Sequence, residues 1–470
     1  MKTRMHFTIL LGALFSSALV SSATASTWQT CAGGQNVKWA SNSLTLRGSS
    51  TGFVPGSTWT TALQSVASSW SSTPSNMNYG IALGDNSVAL GNGESETWWT
   101  GSLGAPAICY TWWNGSCELV EADVVFLNTV NYSTSTSKTS LSPYGGSSRP
   151  FQTTAMHELG HAQGLGHTSD TYSIMGQDWD HIHANGSSAT AYPGEDAVAG
   201  SVGVYGLTGG GFEDVALAHW RHTGNSGAYS THARTRMYNS SGGLLTNLGG
   251  GEPRYRVAPG QQVRMELSAE NLGKSGQSVQ IGYYLSTNDY ISTGDTFLGS
   301  QSVTIYRNTV YTFNSTLLTI PGWVTPSGNY WVGAYIDYDN ALGETTAANN
   351  ATYTAIQIEQ APPDMIANSI VGPKKLKKNK TYTLSLDMSK VDYAGSYTFE
   401  IYLSKNNIIS TGDKLIASGT SSASGVQSFQ FQMPKVKKRR YYYGLIITNV
   451  AGEVVTSNNI ALGARVRVKK

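Results

Sequence analysis

Cysteine is scarce in this sequence, three residues in 470, and charge is sparse, Asp, Glu, Lys and Arg together making up 13%. Three cysteines close at most one internal disulfide and leave one over, which excludes a densely cross-linked scaffold. Sparse charge beside 52 glycines and recurrent Ser, Thr, Asn and Tyr points to short strands and polar turns more than long helices, so the bulk is expected to be β-rich. Long apolar runs are missing too. The one near the N-terminus is shorter than the roughly 20 residues a spanning helix needs, and no other segment qualifies, so no transmembrane segment is expected.

That run lies in "MKTRMHFTILLGALFSSALVSSATAS", with Lys2 and Arg4 ahead of it and Ala23, Thr24 and Ala25 behind, the layout of a secretory signal peptide over residues 1–25. The mature chain is expected from about Ser26 and its destination is extracellular. Disulfides persist there, and "CYTWWNGSC" is most simply a Cys109–Cys117 bridge closing a small loop. Cys31 is then left over, read as a buried free thiol or an alternative disulfide partner.

At 470 residues the chain exceeds one ordinary core, and domains of roughly 100 to 200 residues put the count at two to four. After the leader, "VKWASNSLTLRG" alternates as a strand does, and Trp59, Leu63, Val66 and Trp70 in "GSTWTTALQSVASSWSS" recur at helical spacing. "VEADVVFLNT" (120–129) reads as a further strand, a helix is expected from near Thr153, and "PGEDAVAGSVGVYG" (193–206) has the acidic start of a last helix. An α/β unit over 26–206 follows, with "LTGGG" as its boundary.

The remainder contains a repeat. "YYLSTNDYISTGD" (283–295) matches "IYLSKNNIISTGD" (401–413) at nine of thirteen positions, and "GETTAANN" (343–350) recurs as "GEVVTSNN" (452–459). Two copies of one all-β domain are expected, 207–360 and 361–470, hinged at "EQAPPD" (359–364), with the segment from 213 to about 250 supplying first strands. In the Tyr-Leu-Ser opening and the closing Gly-Glu…Asn-Asn they resemble CARDB domains, immunoglobulin-like sandwiches found on secreted enzymes. Residues 361–470 carry 17 Lys and Arg against 6 Asp and Glu. Their clusters "KKLKKNK" (374–380) and "KVKKRR" (435–440) read as solvated strand ends and loops, or as a surface for anionic polymers.

The chemistry is concentrated in "HELGHAQGLGH" (157–167). On a helix, His157 and His161 project one turn apart from the same face, so both imidazoles reach a single ion. A continued helix would carry His167 roughly 9 Å further along and point it away. Gly164 can take the left-handed conformation that ends a helix and turns the chain back, bringing His167 round as a third ligand. Three protein ligands leave a position open, the arrangement of a catalytic zinc rather than a structural one. Glu158, beside the first ligand, is the candidate general base.

This stretch resembles the metzincin metallopeptidase signature in full, and Met175 in "YSIMG" matches the Met-turn beneath the metal in that clan. The resemblance implies a zinc peptidase whose substrate lies extended along an edge strand, for which "VEADVVFLNT" is the matching candidate. Within the clan the chain is most similar to matrixins over about residues 35–206: Thr168 follows the third histidine, Gln177 stands where astacins and serralysins have tyrosine, and the last helix is alike. It departs from them in lacking a His-rich segment before the zinc helix and a long propeptide with a Pro-Arg-Cys-Gly switch, which leaves the means of latency open; a third reading of Cys31 is an inhibitory zinc ligand near the mature N-terminus. His181 and His183 are candidates for lining the pocket beyond the scissile bond, against a solvated loop. Asp123, Asp178 and Asp180 offer oxygen ligands of the kind calcium prefers, without a complete ligand loop, so calcium stays unassigned.

The expected fold class is multidomain: an α/β (α+β) metzincin-type catalytic domain followed by two all-β immunoglobulin-like sandwiches. The expected activity is a secreted, Zn2+-dependent endopeptidase acting on extracellular proteins or peptides. Its C-terminal repeats would tether it to a cell surface, matrix or anionic polysaccharide, and no specific nucleic-acid partner is expected. A different class is an adhesin or glycan-binding surface protein with an accessory or inactive peptidase domain. The sequence favours the enzyme because every catalytic position is filled.

Overall fold

The computed structural model describes residues 26–168, 173–176, 182–222, 233–359, 363–391 and 393–469. The expected leader at 1–25 and half of the hinge, 360–362, lie outside the described residues. Among the described residues no helix is long and apolar enough to cross a membrane. The chain divides into two compact units, Met1–Ile358 and Glu359–Lys470.

The first unit opens with an α/β part: β1 (Ser43–Ser49), α1 (Thr58–Ser71), β2 (Asn78–Asp85), β3 (Glu96–Thr100), β4 (Ala107–Trp113), β5 (Leu119–Leu127), α2 (Phe151–Ala162) and α3 (Glu195–Tyr205). Ser57 starts α1 by accepting a hydrogen bond from the Thr60 N–H, and Leu63, Val66 and Trp70 bury the face that their spacing predicts. Leu44 and Leu46 of β1 and Val124 and Phe126 of β5 meet that face and α2 in one core.

The sheet order is β2-β1-β3-β5-β4, parallel except for β4. This corrects the expectation for the substrate strand, because "VEADVVFLNT" forms β5, an interior strand between β3 and β4, and the edge is β4. The buried run from Glu121 to Phe126 is what a strand with neighbours on both sides requires.

The disulfide also differs from the expected one. Cys31 bonds Cys117, 86 residues apart, with their Cα atoms 5.7 Å apart, and Cys109 is the free thiol. Cys109 pairs across the hairpin with Val124, seven positions along the chain from Cys117, or about 23 Å at ~3.3 Å per residue; a bridge needs Cα atoms within about 7 Å. A bridge between Lys38 and Glu118 instead brings the N-terminal segment alongside. Cys31, tied into this bond, offers no thiolate to a metal, so the latency reading for Cys31 falls.

The rest of the first unit is a two-sheet β sandwich. Val215–Ala218, Met237–Asn239, Val310–Asn314 and Leu318–Thr319 all pair with Gln262–Asn271, so residues near 215 do supply first strands; the other sheet runs Arg254–Val257, Ala351–Ile358, Asn329–Ile336, Gln277–Ser286, Thr296–Ile305. The second unit repeats it: Lys375–Lys377, Ile460–Lys469, Arg440–Thr448, Tyr397–Ser404, Lys414–Ser421 over Asp364–Val371, Thr381–Val391 and Gly425–Gln432. In each copy the isoleucine of Ile-Ser-Thr-Gly-Asp lies on a strand glycine: a Cβ on Gly333 would meet Ile291 at 2.4 Å, and one on Gly444 would meet Ile409 at 2.4 Å. The Gly-Glu…Asn-Asn motif closes each copy in the same way. Glu344 accepts from the Val215 N–H at 2.7 Å and from the Asn350 amide, and Glu453 accepts from the Met365 N–H at 2.7 Å and the Asn459 amide at 2.6 Å.

Within the first unit the α/β part is pinned to the sandwich by polar contacts. Lys138 is 3% exposed, with Nζ 3.0 Å from Glu252 and 2.6 Å from Asp289. Glu270 accepts from the N–H of Glu195 at the start of α3, and Asn185 exchanges two hydrogen bonds with the backbone of Ile291.

Candidate metal centre

The helix α2 ends at Ala162, and Gly164 takes φ +98°. A side chain there is excluded, since a Cβ would lie 2.6 Å from the Val37 carbonyl. The last carbonyls of the helix and its turn are satisfied by side chains from elsewhere: the Tyr79 hydroxyl donates to Leu159, the Trp39 indole to Ala162 at 2.8 Å, and the Tyr205 hydroxyl to Gln163 at 2.6 Å. Past the turn the chain runs beside the N-terminal segment, with the Gln29 N–H donating to Gly164 and the Gly166 N–H to Thr27, both at 2.8 Å. This pairing carries His167 back to the first two histidines.

The three Nε2 atoms converge. His161 lies 3.0 Å from His157 and 3.0 Å from His167, and His157 lies 3.3 Å from His167. A tetrahedral zinc with bonds of about 2.0–2.1 Å separates its nitrogen ligands by about 3.3 Å, so the three residues fit the ion. The outer nitrogens support the same reading. His157 Nδ1 is 2.6 Å from the Ile174 carbonyl and His161 Nδ1 is 2.8 Å from the Leu165 carbonyl; since a carbonyl only accepts, each Nδ1 carries the proton and each Nε2 presents a lone pair. Burial, with His157 beside it, holds the His161 pKa well below the ordinary value, keeping that ring in the neutral form a metal requires.

Met175 is buried under the helix, where Gly160 makes room: a Cβ on Gly160 would lie 2.3 Å from the Met175 sulfur. Ser173 accepts from the Met175 N–H and donates to Asp196 at 2.9 Å, so α3 holds the turn whose Ile174 carbonyl orients His157. Sequence reasoning passed over Gly160, Trp39, Tyr79 and Asp196. A glycine one residue before the second histidine was the available signal for the first; the others act across long separations that leave no local trace.

Glu158 is buried beside His157. The edge strand β4 packs against α2, and burial, then the Glu158 charge, raises the Cys109 thiol on that strand well above its ordinary range. His183 is buried and stacks on His219 of the sandwich at 5.6 Å between ring centres, so it is not in a solvated loop. His181, Gln177, Asp178 and Asp180 lie outside the described residues. Asp123 is fully buried and accepts from the Glu96 N–H at 3.0 Å and the Gly91 N–H at 3.4 Å, clamping the 86–95 loop onto the sheet.

Residues 61–196 match the model of the matrixin family, Peptidase_M10. No curated protein matches the chain. Among solved structures, the CARDB domain of the PF1109 protein from Pyrococcus furiosus is similar at 17% identity, covering 33% of this chain and 100% of that one, with a TM-score of 0.19. A Paenibacillus sp. cycloisomaltooligosaccharide glucanotransferase is similar at 15% identity, covering 32% of this chain and 16% of that one, with a TM-score of 0.18. The chain carries a matrixin-type metallopeptidase domain, spanned by the match to residues 61–196, and continues into a largely all-β C-terminal region.

Proposed function

We propose that this protein is a secreted zinc endopeptidase that cleaves extracellular proteins, with its C-terminal β region holding it close to a surface or matrix. The observation that carries the reading is the convergence of three imidazole Nε2 atoms within 3.0–3.3 Å beside a buried glutamate. His157, His161 and His167 would hold the ion. When bound, zinc supplies the Lewis acidity that brings a water pKa towards about 7 and polarises a carbonyl.

The remaining work falls to the chain. An extended substrate pairs with β4, whose free edge offers backbone groups to one more strand. Glu158 takes a proton from the attacking water and returns it to the departing amine, so the two proton transfers use one carboxylate. The carbonyls of Ile174 and Leu165 hold the His157 and His161 rings in the tautomer the site needs. The signal-like leader "MKTRMHFTILLGALFSSALVSSATAS" supports export.

The test is hydrolysis of denatured casein by the purified protein beside Glu158→Ala. The expected result is a loss of about 10²- to 10⁴-fold in rate with one zinc per chain retained, the range for removal of a general base. Undiminished hydrolysis by Glu158→Ala, or a wild type that binds zinc and cleaves nothing, would overturn the reading.

A further inference from the structure

In the second unit the two lysine-rich runs and the final strand come together. The Arg467 N–H donates to the Lys374 carbonyl at 3.0 Å and the Val468 N–H to the Arg439 carbonyl at 2.9 Å. Strand register sets Lys375 and Arg440 on either side of Arg467, Lys377 opposite Lys469, and Arg465 opposite Tyr442. Leu376, Tyr441, Val466 and Val468 are buried, and the basic residues alternating with them are turned outward.

Like charges directly opposite one another destabilise a sheet. Nothing here relieves them: 374–380, 435–440 and 465–470 contain no Asp or Glu. Counted over the described residues, Lys375, Arg440, Arg465 and Arg467 form no ion pair in the fold. A polyanion would relieve this repulsion, so the charge of the face selects for one.

We propose that this face binds a linear acidic polysaccharide. The proposal rests on the tethering reading given above and assigns it a location and a chemistry. Single-stranded nucleic acid would need bare aromatic rings for its bases to stack on, yet no aromatic is among the large apolar side chains left exposed in the described part of this unit, and the Tyr442 ring is covered by the Arg465 guanidinium at 5.0 Å. A lipid surface would need apolar side chains interleaved with the basic ones. On the last strand the exposed apolar residues, Ile460 and Leu462, precede Arg465 and Arg467 and do not alternate with them. What remains is a flat grid of cations, side chains about 6.6 Å apart along a strand and strands about 4.8 Å apart, suited to a stiff chain carrying carboxylates or sulfates.

The test uses the full chain on immobilised heparin, a sulfated polysaccharide, and on polygalacturonate, a carboxylated one, at about 0.15 M salt and in a salt gradient. Arg465→Glu with Arg467→Glu should weaken binding about tenfold or more, and Lys405→Glu with Lys414→Glu, equal in charge change but at the far edge of the sheet, less than about threefold. Arg467→Glu sets a carboxylate between Lys375 and Arg440 and removes like-charge contacts, so the Tm of the first double variant should not fall. Retention of wild-type affinity by that variant overturns the assigned face even if the tether holds. No binding of the wild type to either polymer overturns the proposal outright, while leaving a tether to another kind of surface standing. Tighter binding to single-stranded DNA or to phosphatidylserine vesicles at the same salt overturns the polysaccharide.

Discussion

Gly160 and Met175 fit together as a notch and its filler: the methionine sulfur occupies the space where any larger residue at 160 would place its Cβ, 2.3 Å away. Ile174, one residue before that methionine, gives the carbonyl that orients His157. Gly160→Ala is therefore expected to push the turn away from the helix and loosen the first ligand. Helix propensity alone would gain about 1 kcal/mol, but overpacking costs about 1–3 kcal/mol, and zinc affinity should fall at least about tenfold, the loss seen when the partner that orients a ligand is disturbed. Competitive zinc titration and Tm on the same preparation check this; unchanged affinity would show that the notch is not coupled to the ligand.

The Cys31–Cys117 bond spans 86 residues, and in the chain-entropy account closing a loop of that length contributes about 4–5 kcal/mol. Cys117→Ser should lower the Tm markedly and match the effect of reductant on the wild type. Cys109→Ser should leave the response to reductant intact. Were Cys109→Ser to abolish that response, the pairing would be wrong.

Lys138 is nearly fully buried between Glu252 and Asp289, which are 21% and 28% exposed at their side chains. Lys138→Met removes the cation from between the two carboxylates and leaves Glu252 with Arg234 at 3.4 Å and the Tyr353 hydroxyl. Breaking a buried pair costs about 3–5 kcal/mol, and with these partners partly hydrated about 2–3 kcal/mol is expected. Chemical denaturation of the full chain measures it. A fragment ending at 206 should be less stable still, because it exposes the Ala184 and Ile182 surface that the sandwich covers.

Burial holds His183 down at about 4, and burial with Arg234 nearby holds His219 well below the ordinary histidine range. Between about pH 6.5 and 4 the unfolded chain therefore binds protons that the folded one refuses, so this contribution is complete above 6.5 and lost as pH falls through about 4. Asp123, raised to about 7 by burial, acts in the opposite sense: its contribution is complete below about 4 and fades as pH rises through about 7. His183→Phe should flatten the acid limb while leaving the neutral limb in place. Calorimetry at pH 4.5, 6 and 8 on both proteins decides it, and an unaltered acid limb would count against His183.

The zinc-helix histidines were legible because their chemistry dictates a spacing, and Gly164 because its backbone requirement is local. The repeat was legible as well, since Ile291 and Ile409 need the same strand glycine and Glu344 and Glu453 close the same first strand. The disulfide was misread because proximity along the chain stood in for distance in space, and β4 and β5 run antiparallel past each other. The substrate edge was misread because strand order depends on pairing, which the composition of a single strand does not state. The burial of His183 follows from a surface more than thirty residues downstream, and a short His-x-His stretch carries no mark of it.

Trp39 and Tyr79 from before the helix that carries the histidines and Tyr205 from after it hold that helix's end, and Thr27 and Gln29 line the turn that returns the third histidine. Such contacts form only after both ends of the segment exist and have met, which makes them late events in folding. A nascent chain that stops short of Tyr205 lacks part of the frame that holds the ligand set. Metal binding is thereby tied to completion of the fold and not to the histidine spacing alone.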